Sequence, residues 1–239
     1  MHVHLLRIPR RLHMRSPTNT GRVIGILILL HLIVGLTTPY IILRPLGASF
    51  DASALVNGAQ VRLAVMLLFL GGALTIAIAL NGWSTFREYS FTFATWLIAL
   101  AIANFALQCV ENATWMSLFT FSREYAKANA GEVSLFHVTG IGLRMIWKWV
   151  HYTHLLIMVS WMFLLGVMLW RSTVVPQTLA VLLPLGSLLQ IFGITLPQFI
   201  PYPTPPMTLM GLPLGIVYLA LAVWLIVRGF SNERKSFAT

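Results

Sequence analysis

Charged side chains are scarce in this chain of 239 residues, and acidic ones are the scarcest. Only 9% of the residues are charged and 58% are hydrophobic, and six Asp and Glu residues stand against 16 Lys and Arg. The mean hydropathy is +0.82. A water-soluble domain carries far more charge than this. The composition therefore excludes an ordinary soluble domain and favours a protein that lies within a lipid bilayer.

Cysteine and the common catalytic motifs are also missing. The single cysteine, Cys109, excludes an intramolecular disulfide and any Cys-ligated zinc or iron–sulfur site. The sequence has no phosphate-binding glycine loop with its lysine, no GxSxG elbow, no HExxH pair and no dinucleotide fingerprint. These absences favour a non-enzymatic protein over an enzyme, and we predict no cofactor.

Six long apolar segments occupy most of the chain. About 20 apolar residues in a helix cross the hydrocarbon of a bilayer, and backbone groups in hydrocarbon must be satisfied within the helix itself. The sequence therefore predicts an all-α, six-helix transmembrane bundle over residues 22–229, between a basic tail (1–21) and a short carboxyl-terminal tail (230–239). A tight turn is expected at Trp83 to Glu88, and the one long connection at Phe121 to Lys148. The predicted spans are roughly 23–43, 63–80, 91–107, 149–170, 178–196 and 209–227.

The basic residues divide unevenly between the two sides of this bundle. With the amino terminus inside, ten of them fall on the cytoplasmic side and six on the outer side. Because positive residues are retained in the cytoplasm, both termini are predicted to be cytoplasmic. The net charge of +10 is then matched by anionic lipid headgroups, and no nucleic acid partner is expected. The inner set is Arg7, Arg10, Arg11, Arg15, Arg22, Arg87, Arg171, Arg228, Arg234 and Lys235, and the outer set is Arg44, Arg62, Arg123, Lys127, Arg144 and Lys148.

The third span carries a polar stripe toward its outer end. Its members are spaced by four, three, one and three residues, which places them on one face of a helix. Buried polar groups in hydrocarbon need partners, so this face is expected to meet other helices or water. It is either a hydrogen-bonded seam between helices or one wall of an outer-facing polar pocket. The stripe consists of Asn104, Gln108, Glu111, Asn112 and Trp115.

Two histidines open the fourth span at the same expected depth. His151 and His154 lie three residues apart on one helical face, with Arg144 and Lys148 upstream. Together with Glu111 they could form a His/His/carboxylate metal set, although the nearby cations would repel a metal ion and none is favoured. The alternative is a hydrated interfacial belt around Trp147, Trp149 and Tyr152, with Glu111 paired instead to Arg144 or Arg62.

Other residues predict local features. His31 is expected in the inner half of span one, at a different depth from His151 and His154, as a core histidine bonded to another helix. Pro39 and Pro184 should kink their spans, and the proline-rich segment 196–206 should form a stiff outer cap. Small pairs at Ala99/Ala103 and Gly211/Gly215 should permit close packing of helices.

The layout resembles a bacterial family of six-span integral membrane proteins catalogued as a domain of unknown function. The resemblance rests on Arg22-Val23-Ile24-Gly25 at the start of span one and on Asp51, Asn57 and Arg62 before span two. It covers roughly Gly21 to Val227 and departs at Asn81 to Tyr89. It implies six helices in a bacterial cytoplasmic membrane, and it implies no activity.

Three functional hypotheses follow from these patterns. The first is a protein that binds or transports a small ligand through an outer-facing pocket formed by Asn104, Gln108, Glu111, Asn112, Arg144, His151 and His154. The second is a membrane-embedded metal or redox enzyme that uses the His/His/Glu cluster. The third is a structural or regulatory subunit, partnered by another membrane protein or by a second copy of the chain.

Overall fold

The computed structural model describes residues 16–43, 58–200 and 206–231, and it confirms an all-α polytopic bundle. Six of its helices are long and apolar enough to cross a membrane. Asp51 and Asn57, on which the family resemblance partly rests, and most of the two tails lie outside the described residues. The helices are α1 (Pro17–Thr37), α2 (Gly58–Tyr89), α3 (Phe91–Tyr125), α4 (Val133–Ser172), α5 (Gln177–Thr195) and α6 (Pro206–Arg228).

The six helices form a closed ring. Each helix packs mainly against its neighbours in the chain, and α6 packs against α1 to close the circle. The inward faces are buried, whereas large apolar side chains such as Ile33, Trp96 and Ile216 are exposed around the outside. An apolar exterior of this kind is suited to contact with lipid.

Three helices run further than the apolar runs predict. The expected turn at Trp83 to Glu88 is wrong, because α2 remains helical through Tyr89 and the chain reverses at Ser90, whose side chain caps α3 at Phe93. The long connection expected over 121–148 is also wrong: α3 continues to Tyr125, α4 begins at Val133, and the true connection is 126–132. Charged and polar residues mark where a helix leaves the hydrocarbon, and the helix itself need not end there.

One end of the ring carries arginines, and we call it the basic face. It contains Arg22, Arg87, Arg171 and Arg228 at the ends of their helices. The first and last helices meet closely here, since a Cβ at Gly21 would meet the backbone of Gly229 and Phe230. A Cβ at Gly25 would lie 2.9 Å from the carbonyl oxygen of Ala222. These two glycines bring the backbones of α1 and α6 together and close the ring.

Two prolines lie within helical segments. After Thr37 the chain continues as a π-helix over Thr38–Leu43, which contains Pro39, and Pro184 lies within α5 against Gly166. Of the proline-rich segment, Leu196–Gln198 is a 3-10 turn and residues 201–205 lie outside the described part. The close packing predicted at Gly215 is wrong, because a Cβ there would meet nothing within 4 Å.

Candidate functional site

The polar stripe of α3 is buried between helices. Asn104, Gln108, Glu111 and Asn112 are 1–6% exposed. Asn104 donates to the Thr75 hydroxyl of α2 at 3.3 Å, Gln108 donates to Asn112 at 3.1 Å, and Asn112 donates to a backbone carbonyl of α2 at 3.1 Å. The amides therefore form a hydrogen-bonded seam, which is one of the two interpretations, whereas Glu111 is hydrogen-bonded to α4.

Both oxygens of the Glu111 carboxylate are hydrogen-bonded to imidazoles. Oε1 lies 2.8 Å from Nδ1 of His151, and Oε2 lies 2.7 Å from Nδ1 of His154. The side chains of Glu111 and His154 are 5% and 8% exposed, and that of His151 is 30% exposed. The three side chains converge, which is one of the two arrangements that the sequence left open. The ion pair expected with Arg144 or Arg62 is not the one found, because the imidazoles occupy the carboxylate.

The cluster lies far from the basic face. Glu111 comes 20 residues after the start of α3 at Phe91, which is about 30 Å along a helix axis. His154 comes 18 residues before the end of α4 at Ser172, or about 27 Å. The hydrocarbon of a bilayer is about 30 Å thick. If the arginines of the basic face lie at one membrane boundary, the cluster therefore lies near the other.

The carboxylate determines which ring nitrogens are free. An ionised carboxylate only accepts hydrogen bonds, so both Nδ1 atoms carry the proton and donate to Glu111. Each neutral imidazole then presents the lone pair of Nε2. With both rings neutral, the cluster has a charge of −1 and offers acceptors only.

Two tryptophans cover the more exposed histidine. The indole of Trp147 stacks on the His151 ring with centroids 5.4 Å apart and planes inclined by 14°. Trp115 meets Trp147 edge to face at 5.1 Å. A belt does form at Lys148, Trp149 and Tyr152, where the ammonium lies over both aromatic rings. The buried His154 is not part of that belt, contrary to the interfacial interpretation.

The contacts within the cluster leave no room for a metal ion between Glu111 and the two imidazoles. Ligand atoms that share one ion at about 2 Å lie more than about 3 Å apart, whereas Glu111 touches its two partners at hydrogen-bond distance. No group of three or more His, Cys, Asp or Glu side chains in the described ranges is arranged to hold a metal ion. Arg144 is exposed on α4, two turns before His151.

A comparison with protein families shows the family to which the chain belongs. The model of the family described as domain of unknown function (DUF4386) matches residues 23–229, which is most of the chain. The chain belongs to the DUF4386 family. No curated protein and no solved structure matches it. Membership in DUF4386 assigns no activity, so function has to be argued from the site itself.

Two cavities of this DUF4386 chain lie away from Glu111. The larger, about 640 Å³, lies between α3 and α4 beyond the cluster and is lined by Met116, Thr120, Phe136 and neighbouring side chains. The smaller, about 280 Å³, lies near the basic face beside Trp170 and Trp224. Neither borders the carboxylate, so the open pocket expected there is not one of these two cavities.

A second polar group lies deeper in the DUF4386 ring. His31 contacts the hydroxyl of Tyr218 through Nδ1 at 3.2 Å, which confirms a core histidine bonded to another helix. His31 comes nine residues after Arg22 in α1, about 14 Å along the axis from the basic face, whereas His154 lies about 27 Å from that face, so the two histidines are at different depths. The sequence did not predict that Tyr218 is the partner of His31. Residue spacing shows which side chains share a face of one helix, but it does not show which other helix that face contacts.

Proposed function

We propose that this integral membrane protein binds a small cationic ligand at Glu111, His151 and His154, from the side opposite the basic face. The observation that supports the proposal is the carboxylate held by two imidazoles at 2.8 and 2.7 Å. We place the protein in a bacterial cytoplasmic membrane with both termini in the cytoplasm, so that the site faces outward.

The charge of the cluster selects the ligand. Both Nδ1–H groups are used by the carboxylate, and what remains for a ligand is negative charge and the lone pairs of the two Nε2 atoms. A cation, or a group that donates hydrogen bonds, suits this arrangement, whereas an anion would be repelled. Ionisable residues within membrane helices carry a high energetic cost and mark pathways for ions and substrates.

The surroundings limit the size of the ligand. His151 is the partly exposed member of the cluster, and the Trp147 indole is stacked on its ring. A ligand reaches Nε2 of His151 beside this indole, so a metal ion or a small amine fits better than a bulky solute. Asn112 joins α3 to α2 beside the cluster and is itself held by Gln108, and Arg144 at the outer approach disfavours larger cations.

A metal centre is the second candidate, and one observation favours it. Histidines that bind metals commonly donate their other ring N–H to a carboxylate, which fixes the tautomer and the ring orientation. Glu111 does this for both histidines. The two Nε2 atoms would be the ligands, and further ligands would have to come from solvent.

Tryptophan fluorescence tests the proposal in the purified protein. Because Trp147 stacks on His151, a cation bound at that imidazole should change its emission. Methylammonium and Zn²⁺ are titrated separately into the wild-type protein and into Trp147→Phe, which identifies the contribution of this indole. We expect a saturable change for methylammonium in the wild type that is absent in Glu111→Gln. Glu124→Gln is the matched control, since Glu124 is an exposed carboxylate on the same helix, paired with Lys127.

The outcomes separate the hypotheses. A response to Zn²⁺ alone would favour the metal centre. A response to neither cation, or an equal response in Glu111→Gln, would contradict both candidates and leave a structural or regulatory subunit. If Glu111→Gln does not fold, His151→Gln replaces it. His151 is partly exposed, so its removal leaves fewer buried polar groups without a hydrogen-bond partner.

A further inference from the structure

An exposed apolar stripe runs along the first half of α4, and we call it the α4 stripe. Its large side chains, which are 55–69% exposed, are Leu135, Val138, Met145 and Trp149. Gly142 lies between them, and a Cβ there would meet nothing within 4 Å. The five positions are spaced by three, four, three and four residues. This is the a/d repeat of a helix that packs lengthwise against another helix, so the spacing favours a helix as the partner of the stripe.

The bundle itself uses the opposite face of α4. The Phe136 ring lies 5.4 Å from the Phe121 ring of α3, and a Cβ at Gly140 would lie 3.1 Å from Phe121. Trp147 and His154 follow Gly140 at intervals of seven residues, which is nearly two helical turns, and they contact the Glu111 cluster. The stripe therefore points directly away from the bundle to which α4 belongs.

The far part of the α4 stripe lies beyond the reach of lipid. Leu135 and Val138 come 37 and 34 residues before the end of α4 at Ser172, or about 55 and 51 Å along the helix axis. A bilayer with its headgroups is about 40–45 Å thick, so with the basic face at one boundary both side chains lie outside the opposite one. Large apolar patches exposed to water mark sites of protein–protein contact. A protein is therefore the expected cover of this part of the stripe.

The stripe is large enough for a specific interface. Ile141 and Ile146, which are 39% and 55% exposed, take the g and e positions beside the a/d repeat and widen the stripe. At about 150 Å² for a large apolar side chain, the six side chains present on the order of 500 Å² per chain. Two copies joined through the stripe would bury about 1,000 Å², which reaches the size of a specific protein–protein interface.

The membrane aligns two copies of this chain for such a contact. Copies inserted in the same orientation have parallel α4 helices, and a two-fold axis perpendicular to the membrane brings identical residues together at one depth. In a parallel pair, a g residue lies beside the following e residue of the other helix. Ile141 of each copy then meets Ile146 of the other, and Lys148 meets Thr153, so no two cations oppose each other. The stripe is thus complementary to itself.

We propose that two copies of the chain form a parallel dimer through the α4 stripe, with the outer halves of the two α4 helices packed as a short coiled coil. Each protomer keeps its own Glu111 cluster, because that cluster lies on the opposite face of α4. The inference does not rest on cation binding at Glu111.

Disulfide cross-linking in native membranes tests the dimer. Cys109 is replaced by serine, and one new cysteine is placed in the stripe at Leu135 or Val138, or beside it at His137, which is also exposed. A disulfide requires Cα atoms within about 7 Å, and only positions of the a/d repeat come this close. Two differently tagged copies are co-expressed and treated with a mild oxidant. Leu135→Cys and Val138→Cys should give a linked product that carries both tags, with twice the 26.7 kDa of the chain, and His137→Cys should stay monomeric.

A second substitution tests whether the whole stripe is the interface. Met145→Lys, combined with Leu135→Cys, places two like charges opposite each other ten residues from the cysteine and should reduce the linked product at least tenfold. His137→Lys, combined with Leu135→Cys, adds a lysine outside the stripe and should leave the yield unchanged. Should Met145→Lys fail to accumulate in the membrane, Ile146→Lys replaces it.

Every other result contradicts the dimer. Equal cross-linking at Leu135 and His137 would show random collision. Unreduced cross-linking with the added lysine in the stripe would place the contact elsewhere. No product at either stripe position would leave the stripe to another part of this chain, and a product of different mass without the second tag would assign it to another membrane protein.

Discussion

Glu111 and His154 are 43 positions apart in the chain and are joined by a hydrogen bond of 2.7 Å between the carboxylate and Nδ1. Both side chains are buried, at 5% and 8% exposure. The bond links α3 to α4 near the boundary of the hydrocarbon, where a buried charge is costly unless it is paired. The hydrogen bond between Glu111 and His154 therefore stabilises the packing of α3 against α4. It also determines which ring nitrogen of His154 is left for a ligand.

Replacing Glu111 with leucine should destabilise the protein. The change leaves the Nδ1–H of the buried His154 without an acceptor, and an unsatisfied buried donor costs roughly 1–3 kcal/mol. The midpoint of thermal unfolding in detergent measures the effect. Glu124→Leu is the control, since Glu124 is exposed and should change stability by less than about 0.5 kcal/mol. Equal midpoints for wild type and Glu111→Leu would show that the carboxylate does not hold the helices together.

The hydroxyl of Tyr218 should stabilise closure of the ring. Tyr218→Phe keeps the aromatic packing and removes only the contact with His31 at 3.2 Å. A net hydrogen bond contributes about 0.5–1.5 kcal/mol, so a modest drop in thermal stability is expected. Tyr152→Phe, in the belt beside Lys148, should have no such effect. A drop of the same size in both variants would argue against a specific role for Tyr218.

The contact between α1 and α6 should depend on Gly25. A Cβ there would lie 2.7 Å from Cβ of Leu225 and 2.8 Å from the backbone nitrogen of Ile226. Gly25→Leu should therefore separate the helices and reduce the yield of monodisperse protein in detergent. Gly215→Ala is the matched control, because a Cβ there meets nothing within 4 Å and alanine favours the helix by up to about 1 kcal/mol. A normal yield for Gly25→Leu would contradict the close approach.

Both termini should be cytoplasmic. The single native cysteine is replaced by serine, and new cysteines are placed at Gly131 in the connection between α3 and α4 and at Thr173 after α4. A membrane-impermeant thiol reagent added to intact cells should label position 131 and leave position 173 unlabelled until the cells are opened. The reverse labelling pattern would invert the topology and place the Glu111 cluster on the cytoplasmic side.

Periodicity predicted the parts of the site that lie on one helix. The stripe from Asn104 to Asn112 and the pair His151 and His154 each share a face because of the 3.6-residue repeat. Hydrophobicity also indicated that the outer end of α3 and the start of the apolar part of α4 lie at one level. These features placed Glu111 and the two histidines at one depth, but they did not decide whether Glu111 pairs with the histidines or with Arg144 or Arg62.

The rest depended on contacts between distant helices. Nothing in the local sequence indicates that α6 returns to α1, because that contact is set by the close approach at Gly21 and Gly25. The partner of His31 followed from this closure and could not be predicted. The ends of α2 and α4 were misplaced for a different reason: apolar composition reports the thickness of the bilayer, and a helix can continue beyond it.

Calorimetric titration of methylammonium into the detergent-purified protein tests the central claim most directly, because it measures both affinity and stoichiometry. The wild type and Glu124→Gln should bind one cation per chain, and Glu111→Gln should show only the heat of dilution. Binding by Glu111→Gln with the affinity of the wild type, or no binding by the wild type, would contradict a cation site at Glu111, His151 and His154.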